Sequence, residues 1–351
     1  MYSSLEVCAG GGGQAIGLEQ SGFEHILLVE NDPGACSTLR ANRPNWKVLE
    51  ANLEDIDFKL LALGKVDLLA GGVPCPPFSL AGKQLGASDE RDLFPVVLRM
   101  VDSMRPRALM IENVKGLLGA KFASYRREIL DFLESRGYAA EWRLFNAADY
   151  GVPQVRYRSV LVAMNENDAQ YFSWPIADKE MAPTVGQALI EEMASNGWML
   201  ADDWAAQASD LAPTLVGGSK KHGGADLGPT RAKEAWRKLG VDGMGLANTP
   251  PESSFIGMPR LTNAMAALIQ GFPKDWIFEG KKTSTYRQIG NAFPPPVARA
   301  VGKSIRTAML AADGKLPQQV TQSLPDGLSF GTWQLPVLGP EPIQLGLRSA
   351  S

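Results

Sequence analysis

Cys75 is mounted as a reacting group would be. It stands in Gly71-Gly72-Val73-Pro74-Cys75-Pro76-Pro77-Phe78-Ser79, directly after an apolar run, Val66–Ala70, that reads as a buried strand. Prolines at 74, 76 and 77 fix φ and push the residues before them into extended backbone, so the thiol is offered from a stiff loop. A loop past the carboxyl end of a parallel strand lies where open α/β sheets bind ligands. A nucleophile is the natural reading, with a buried spectator thiol as the alternative. The strand Leu109–Glu112 delivers Glu112-Asn113-Val114, an acid and an amide, to the same edge. Burial raises a carboxyl pKa, so Glu112 could donate a proton near neutral pH. Gln154, Arg156 and Arg158 alternate in Gln154-Val155-Arg156-Tyr157-Arg158 and so share one face of an extended segment. Two guanidinium groups there would favour a thiolate and hold a substrate phosphate.

A binding function is written nearer the N-terminus. The strand Ser4–Cys8 runs into Ala9-Gly10-Gly11-Gly12-Gly13, with a helix expected from Gln14, a layout in which bare backbone can approach a nucleotide at a helix N-terminus. Seventeen residues after Gly13 the next strand, Ile26–Glu30, ends on a carboxylate able to accept ribose hydroxyls. Together these point to an adenosine-containing cofactor, either a dinucleotide or S-adenosylmethionine; a plain tight turn is the alternative for the glycines.

The elements that must position these groups alternate. Strands at Ser4–Cys8, Ile26–Glu30, Val66–Ala70, Leu109–Glu112 and Val160–Met164 are separated by helical patterns, including Leu93, Val96, Val97, Met100, Val101, Met104 and then Tyr125, Ile129, Phe132, Leu133. This rhythm predicts a parallel α/β sheet with helices packed on it. From about Asn165 to Met258 the period breaks into a Gly-, Pro- and Trp-rich stretch, which reads as a separate, irregular small domain. Within it, Gly217–Gly240 carries Lys220, Lys221, Arg231, Lys233, Arg237 and Lys238 against Asp226 and Glu234, a local excess of 6 − 2 = +4. Such a basic loop is either a nucleic-acid contact or a solvated surface. Helical patterning returns over 259–313, and 314–351 reads as an extended tail.

Composition excludes several classes. Of 351 residues 45% are hydrophobic and 21% charged, which rules out global disorder. Three cysteines and two histidines, with no CxxC or HxxxH spacing, argue for a reducing cytosol and against a structural metal. No stretch approaches the ~18 apolar residues that span a bilayer, and no signal-peptide pattern opens the chain, so a cytoplasmic protein without membrane attachment is expected. A net charge of −3 excludes a uniformly basic coat but permits a local patch.

In this order the motifs resemble the DNA (cytosine-C5) methyltransferases of bacterial restriction-modification systems, over residues 4–164 and 260–304. The resemblance implies a Rossmann-like α/β methyltransferase sheet at 1–165, a target-recognition domain at 166–258, and a return segment at 259–313 that completes the catalytic domain. It implies Cys75 as nucleophile, Glu112 as acid, and Arg156 and Arg158 beside them. It implies S-adenosyl-L-methionine held by Cys8, Gly10, Gly12, Gly13, Glu30, Asn52 and Asn291. It implies substrate contacts from Pro74, Ser79, Asn113 and Gln154, with Lys220, Lys221, Arg231 and Lys233 in the recognition region. Glu6-Val7-Cys8 departs from the family's Asp-Leu-Phe, so Cys8 cannot stack on an adenine; Asn52 stands where Asp is frequent. The implied partner is double-stranded DNA, with a cognate restriction endonuclease acting independently and the chain monomeric in action. An RNA cytosine methyltransferase of the same fold would share every catalytic motif, and a dinucleotide-dependent oxidoreductase would share only the glycines and Glu30.

Overall fold

The computed structural model describes residues 1–61, 63–74, 92–177, 182–218, 224 and 226–316. Seven strands form one sheet: β1 (Tyr2–Val7), β2 (Phe23–Glu30), β3 (Val48–Glu50), β4 (Leu68–Gly71), β5 (Ala108–Val114), β6 (Tyr138–Asn146) and β7 (Tyr157–Asn165), in the order β3-β2-β1-β4-β5-β7-β6. The order reverses between β1 and β4, so a crevice opens at the carboxyl ends of these neighbours. The helices are α1 (Gly13–Gln20), α2 (Pro33–Asn42), α3 (Phe94–Met104), α4 (Ala123–Glu134), α5 (Glu166–Ala169), α6 (Val185–Ala194), α7 (Ala201–Gln207), α8 (Thr230–Lys238), α9 (Asn263–Ile269), α10 (Lys282–Asn291) and α11 (Pro295–Ala312). Among the described residues no helix is long and apolar enough to cross a membrane.

The five expected strands are present, but the sheet is not wholly parallel. β7 pairs antiparallel with both β5 and β6. A parallel neighbour needs a crossover helix, whereas β6 and β7 are joined by residues 147–156, which hold only one turn of 3-10 helix at Ala147–Tyr150. The reversal has a functional result: it places Arg158 opposite Val114, and Val160 opposite Glu112, at the carboxyl end of β5.

Alternate residues of the central strands supply two cores. On one face Leu5, Val7, Leu69, Leu109 and Ile111 pack under α3 and α4. On the other, Leu68, Ala70, Met110, Val160 and Val162 meet Val297, Val301, Ile305 and Met309 of α11. α11 also lies close on α1: a Cβ at Gly17 would sit 2.5 Å from the Pro295 carbonyl and from the Ala298 side chain, so only glycine fits.

The region 166–258 is not separately cored. Leu189, Met193, Trp198, Trp204 and Trp236 form one cluster with Met265, Ile269, Trp276 and Tyr286 of the return segment and with Ile16 and Leu39 beneath the glycine loop. The expected loop at Gly217–Gly240 is also part helix, since α8 occupies 230–238 and is pinned by the fully buried Trp236.

Candidate active site

The glycine loop turns because its φ angles are those that side chains resist: 54° at Gly10 and 90° at Gly12, with Cys8 itself at 54°. Glu30, at the end of β2, fastens the turn from the next strand. Its Oε2 accepts from the Gly10 N–H at 2.7 Å, and its Oε1 accepts from the N–H groups of Asn31 and Asp32 at 2.9 and 2.8 Å. Above this floor lies a cavity of about 240 Å³, lined by Cys8, Gly10, Gly11, Gly13 and Glu30 and roofed by Ser284, Arg287, Gln288 and Asn291 of α10.

Two of the expected cofactor residues stand elsewhere. Gly12 faces away from the cavity, because a Cβ there would lie 2.8 Å from the Trp276 ring and 2.9 Å from Leu39; its smallness serves packing. Asn52 is absent from the lining, and its amide oxygen already accepts from Asn31 Nδ2 at 3.1 Å while its own Nδ2 donates to Asp55. Sequence reasoning in turn missed Glu6, Gln14 and the α10 residues. Glu6 and Gln14 line the cavity, are almost fully buried, and carry side-chain atoms without hydrogen-bond partners among the described residues. A carboxyl inside an apolar strand and an amide inside a buried helix turn were the available signals. Burial, then the charge of Glu30, holds the Glu6 carboxyl well above the ordinary carboxylate range; burial likewise pushes the Cys8 thiol up.

A second cavity of about 290 Å³ adjoins the first. Gly72, Val73, Pro74, Glu112, Asn113, Val114, Arg158 and Asn291 line it, and Gly72, Glu112 and Asn291 line both. Glu112 therefore sits at their junction. Arg158 Nε lies 2.7 Å from Glu112 Oε1, the diagonal contact that the β5–β7 register creates. Burial raises the Glu112 pKa, and the two arginines 158 and 156 oppose that without cancelling it. Asn113 acts on the chain itself: its Nδ2 donates to the Val73 carbonyl at 3.0 Å, and the Leu93 N–H donates to the Pro74 carbonyl at 3.3 Å. Cys75 and Ser79, which follow Pro74, lie outside the described residues, as do Lys220 and Lys221.

The alternation of Gln154, Arg156 and Arg158 holds, but the shared face points inward. Arg156 is fully buried and donates to the carbonyls of Leu215 at 2.8 Å, Gly290 at 2.7 Å and Ala292 at 3.1 Å. It fastens three segments together and, fully buried, is not exposed to a phosphate, which corrects its expected place beside the substrate. Gln154 is equally buried, donating to the Ile269 carbonyl and to Gln270 Oε1 and accepting from the Leu215 N–H. Of the basic segment, Arg231 is exposed on α8, whereas Lys233 Nζ pairs with Asp226 at 2.9 Å and is neutralised by it.

The family model for C-5 cytosine-specific DNA methylase matches residues 2–307. The chain is 58% identical over 310 residues to the type II methyltransferase M.NaeI of Lentzea aerocolonigenes, covering 87% of this chain and 75% of that one. It is 49% identical over 311 residues to the type II methyltransferase M.NgoMIV of Neisseria gonorrhoeae, covering 88% and 98%. Among solved structures, the Entamoeba histolytica methyltransferase EhMeth superposes with a TM-score of 0.61 at 15% identity, over 88% of this chain and 99% of that one. The S. pombe Dnmt2 methyltransferase gives 0.59 at 16%, over 90% and 100%. At such identities these two speak to the fold alone.

Proposed function

The chain belongs to the C-5 cytosine-specific DNA methylases, and we propose that it methylates a flipped-out cytosine of a specific duplex DNA sequence through a covalent adduct with Cys75. The observation that carries this reading is Glu112, buried and paired with Arg158 where the two cavities meet. In this reading the cavity over the glycine loop takes S-adenosylmethionine and the adjoining one takes the target base. The orphaned Glu6 and Gln14 atoms fit a ligand that carries both donors and acceptors.

Cytosine C5 is a poor nucleophile because the aromatic ring holds its electrons. Addition of the Cys75 thiolate to C6 turns the ring into an enamine, and Glu112, donating to N3, offsets the charge that develops. The bound cofactor supplies an electrophilic methyl group on a sulfonium. Once C5 has gained the methyl, loss of its proton and departure of the Cys75 thiolate from C6 restore aromaticity. Arg158 orients Glu112 from the neighbouring strand, and Asn113 holds the Val73 backbone ahead of the nucleophile. Extrusion of the base costs a few kcal/mol, offset by contacts to phosphate and pocket. Residues 166–258 are assigned to target recognition. The enzyme is taken to act as a monomer in the cytoplasm, independently of a cognate restriction endonuclease.

A duplex carrying 5-fluorocytosine at the target tests the chemistry. Fluorine cannot leave as the proton does, so protein and DNA should remain cross-linked, with mass spectrometry locating the bond at Cys75. Cys75→Ser should yield neither adduct nor methyl transfer while still binding S-adenosylmethionine. An adduct at Cys8 or Cys36, or turnover above a few per cent in the variant, would reverse the assignment.

A further inference from the structure

Three residues that line the cavity over the glycine loop carry buried side-chain atoms without a hydrogen-bond partner among the described residues. Gln14, the second residue of α1, is 4% exposed, yet both its Oε1 and its Nε2 are buried without hydrogen-bond partners. Arg287 of α10 has a buried Nε in the same condition, and Glu6 an unpartnered Oε2. Buried polar groups in folded proteins are almost always paired, so three such groups on residues that line one cavity point to a ligand that completes them. No hydrogen bond among the described residues accounts for an amide at position 14, while Ala15, Ile16 and Leu18 of the same helix are apolar and fully buried.

The ligand's other end is already accounted for. Glu30 lies at the end of β2 beside Asp32 and Ala35, and the family pattern gives it the ribose. What remains of S-adenosylmethionine is the methionine end, whose carboxylate needs donors and whose ammonium needs acceptors. A guanidinium and an amide N–H group supply the first, and an amide oxygen with a neighbouring carboxyl supplies the second.

We propose that Gln14 and Arg287 bind the amino-acid end of the cofactor, with Arg287 and Gln14 Nε2 donating to its carboxylate and Gln14 Oε1 accepting from its ammonium. This rests on the reading of the cavity as the S-adenosylmethionine site, and it names the side chains that distinguish a complete cofactor from its adenosine half. Gln14 belongs to the glycine loop's own helix and Arg287 to the return segment, so the amino-acid end would bridge two parts of the chain that are far apart in sequence.

The test is calorimetric and needs neither DNA nor turnover. S-adenosylhomocysteine and 5′-methylthioadenosine share the adenosine and the thioether, but only the first carries the amino-acid end. Both are titrated into the full chain and into the variants Gln14→Leu, Gln14→Glu and Arg287→Gln. Each variant should bind S-adenosylhomocysteine about ten- to hundred-fold more weakly and 5′-methylthioadenosine as the parent does. Gln14→Glu, nearly isosteric and repelling the carboxylate, should be weaker than Gln14→Leu, and it keeps the test decisive if the leucine variant folds poorly. Equal loss for both ligands would mean that these residues only shape the fold, and unchanged S-adenosylhomocysteine binding would mean that they do not touch it; either overturns the proposal. A parent chain that binds neither ligand would instead remove the cofactor reading beneath it.

Discussion

Glu112 is asked to do two opposed things, to stay protonated long enough to donate and to sit 2.7 Å from a guanidinium that favours its anion. Burial decides the balance, and the carboxyl remains above its ordinary value with Arg158 the larger opposing influence. Glu112→Gln keeps the shape and removes the acid. Turnover should therefore fall by about 10²- to 10⁴-fold, while calorimetry finds cofactor affinity within two-fold. A loss of cofactor affinity equal to the loss of turnover would place Glu112 in the wrong role. Arg158→Met removes the opposing charge. The Glu112 carboxyl then rises further, so the alkaline limb of the kcat/KM profile that it governs should move to higher pH. A limb that stays in place or moves to lower pH would show that another group sets it.

At the scale of elements, His25 joins three of them. It sits on β2, its Nδ1 lies 2.9 Å from Ser4 Oγ on β1, and its Nε2 lies 2.9 Å from the Ala15 carbonyl on α1. These partners assign the neutral tautomer, with Nε2–H donating to the carbonyl and Nδ1 accepting from the hydroxyl. Burial lowers its pKa below the ordinary 6.5. The unfolded chain thus takes up a proton that the folded one resists, and this contribution to stability is whole above pH 6.5 and is lost as pH falls below it. Thermal midpoints measured from pH 8 to pH 5 should decline below 6.5 in the parent and less steeply in His25→Gln; parallel curves would deny the linkage. Strands were legible where burial on both faces makes them continuously apolar, as in Leu68–Gly71 and Ala108–Ile111. β6 was not, because as an edge strand it interleaves Glu141 and Arg143 with Trp142 and Phe145. The direction of β7 was equally hidden, since it is decided by a connection too short for a crossover helix and leaves no mark on the strand's own residues. The glycine turn and the arrival of Glu112 at the carboxyl end of β5 were readable from local chemistry. That Arg156 is a bolt was not, because the carbonyls it serves lie 59 to 136 residues away.

At the scale of the whole molecule, a chain of net charge −3 must hold a polyanion. Average charge repels DNA, so binding needs a surface where cations are concentrated and unneutralised. The segment 217–240 holds six cations in sequence, and the structure divides the four that it describes, Arg231, Lys233, Arg237 and Lys238. Lys233 is spent on Asp226, whose pKa it holds down. Arg231 and Lys238 are exposed, and seven residues apart on α8 they share one helix face, on the side away from the buried Trp236 that anchors the helix. If that face meets the DNA backbone, the double variant Arg231→Gln with Lys238→Gln should flatten the slope of log K against log salt by about 0.9 per lost phosphate contact, hence about 1.8 in all. Lys233→Met should leave the slope unchanged, because its charge is already paired, and neither variant should alter cofactor affinity. A slope unaltered in the double variant would return α8 to the status of a solvated helix, and a slope reduced by Lys233→Met alone would mean that DNA competes with Asp226 for that lysine.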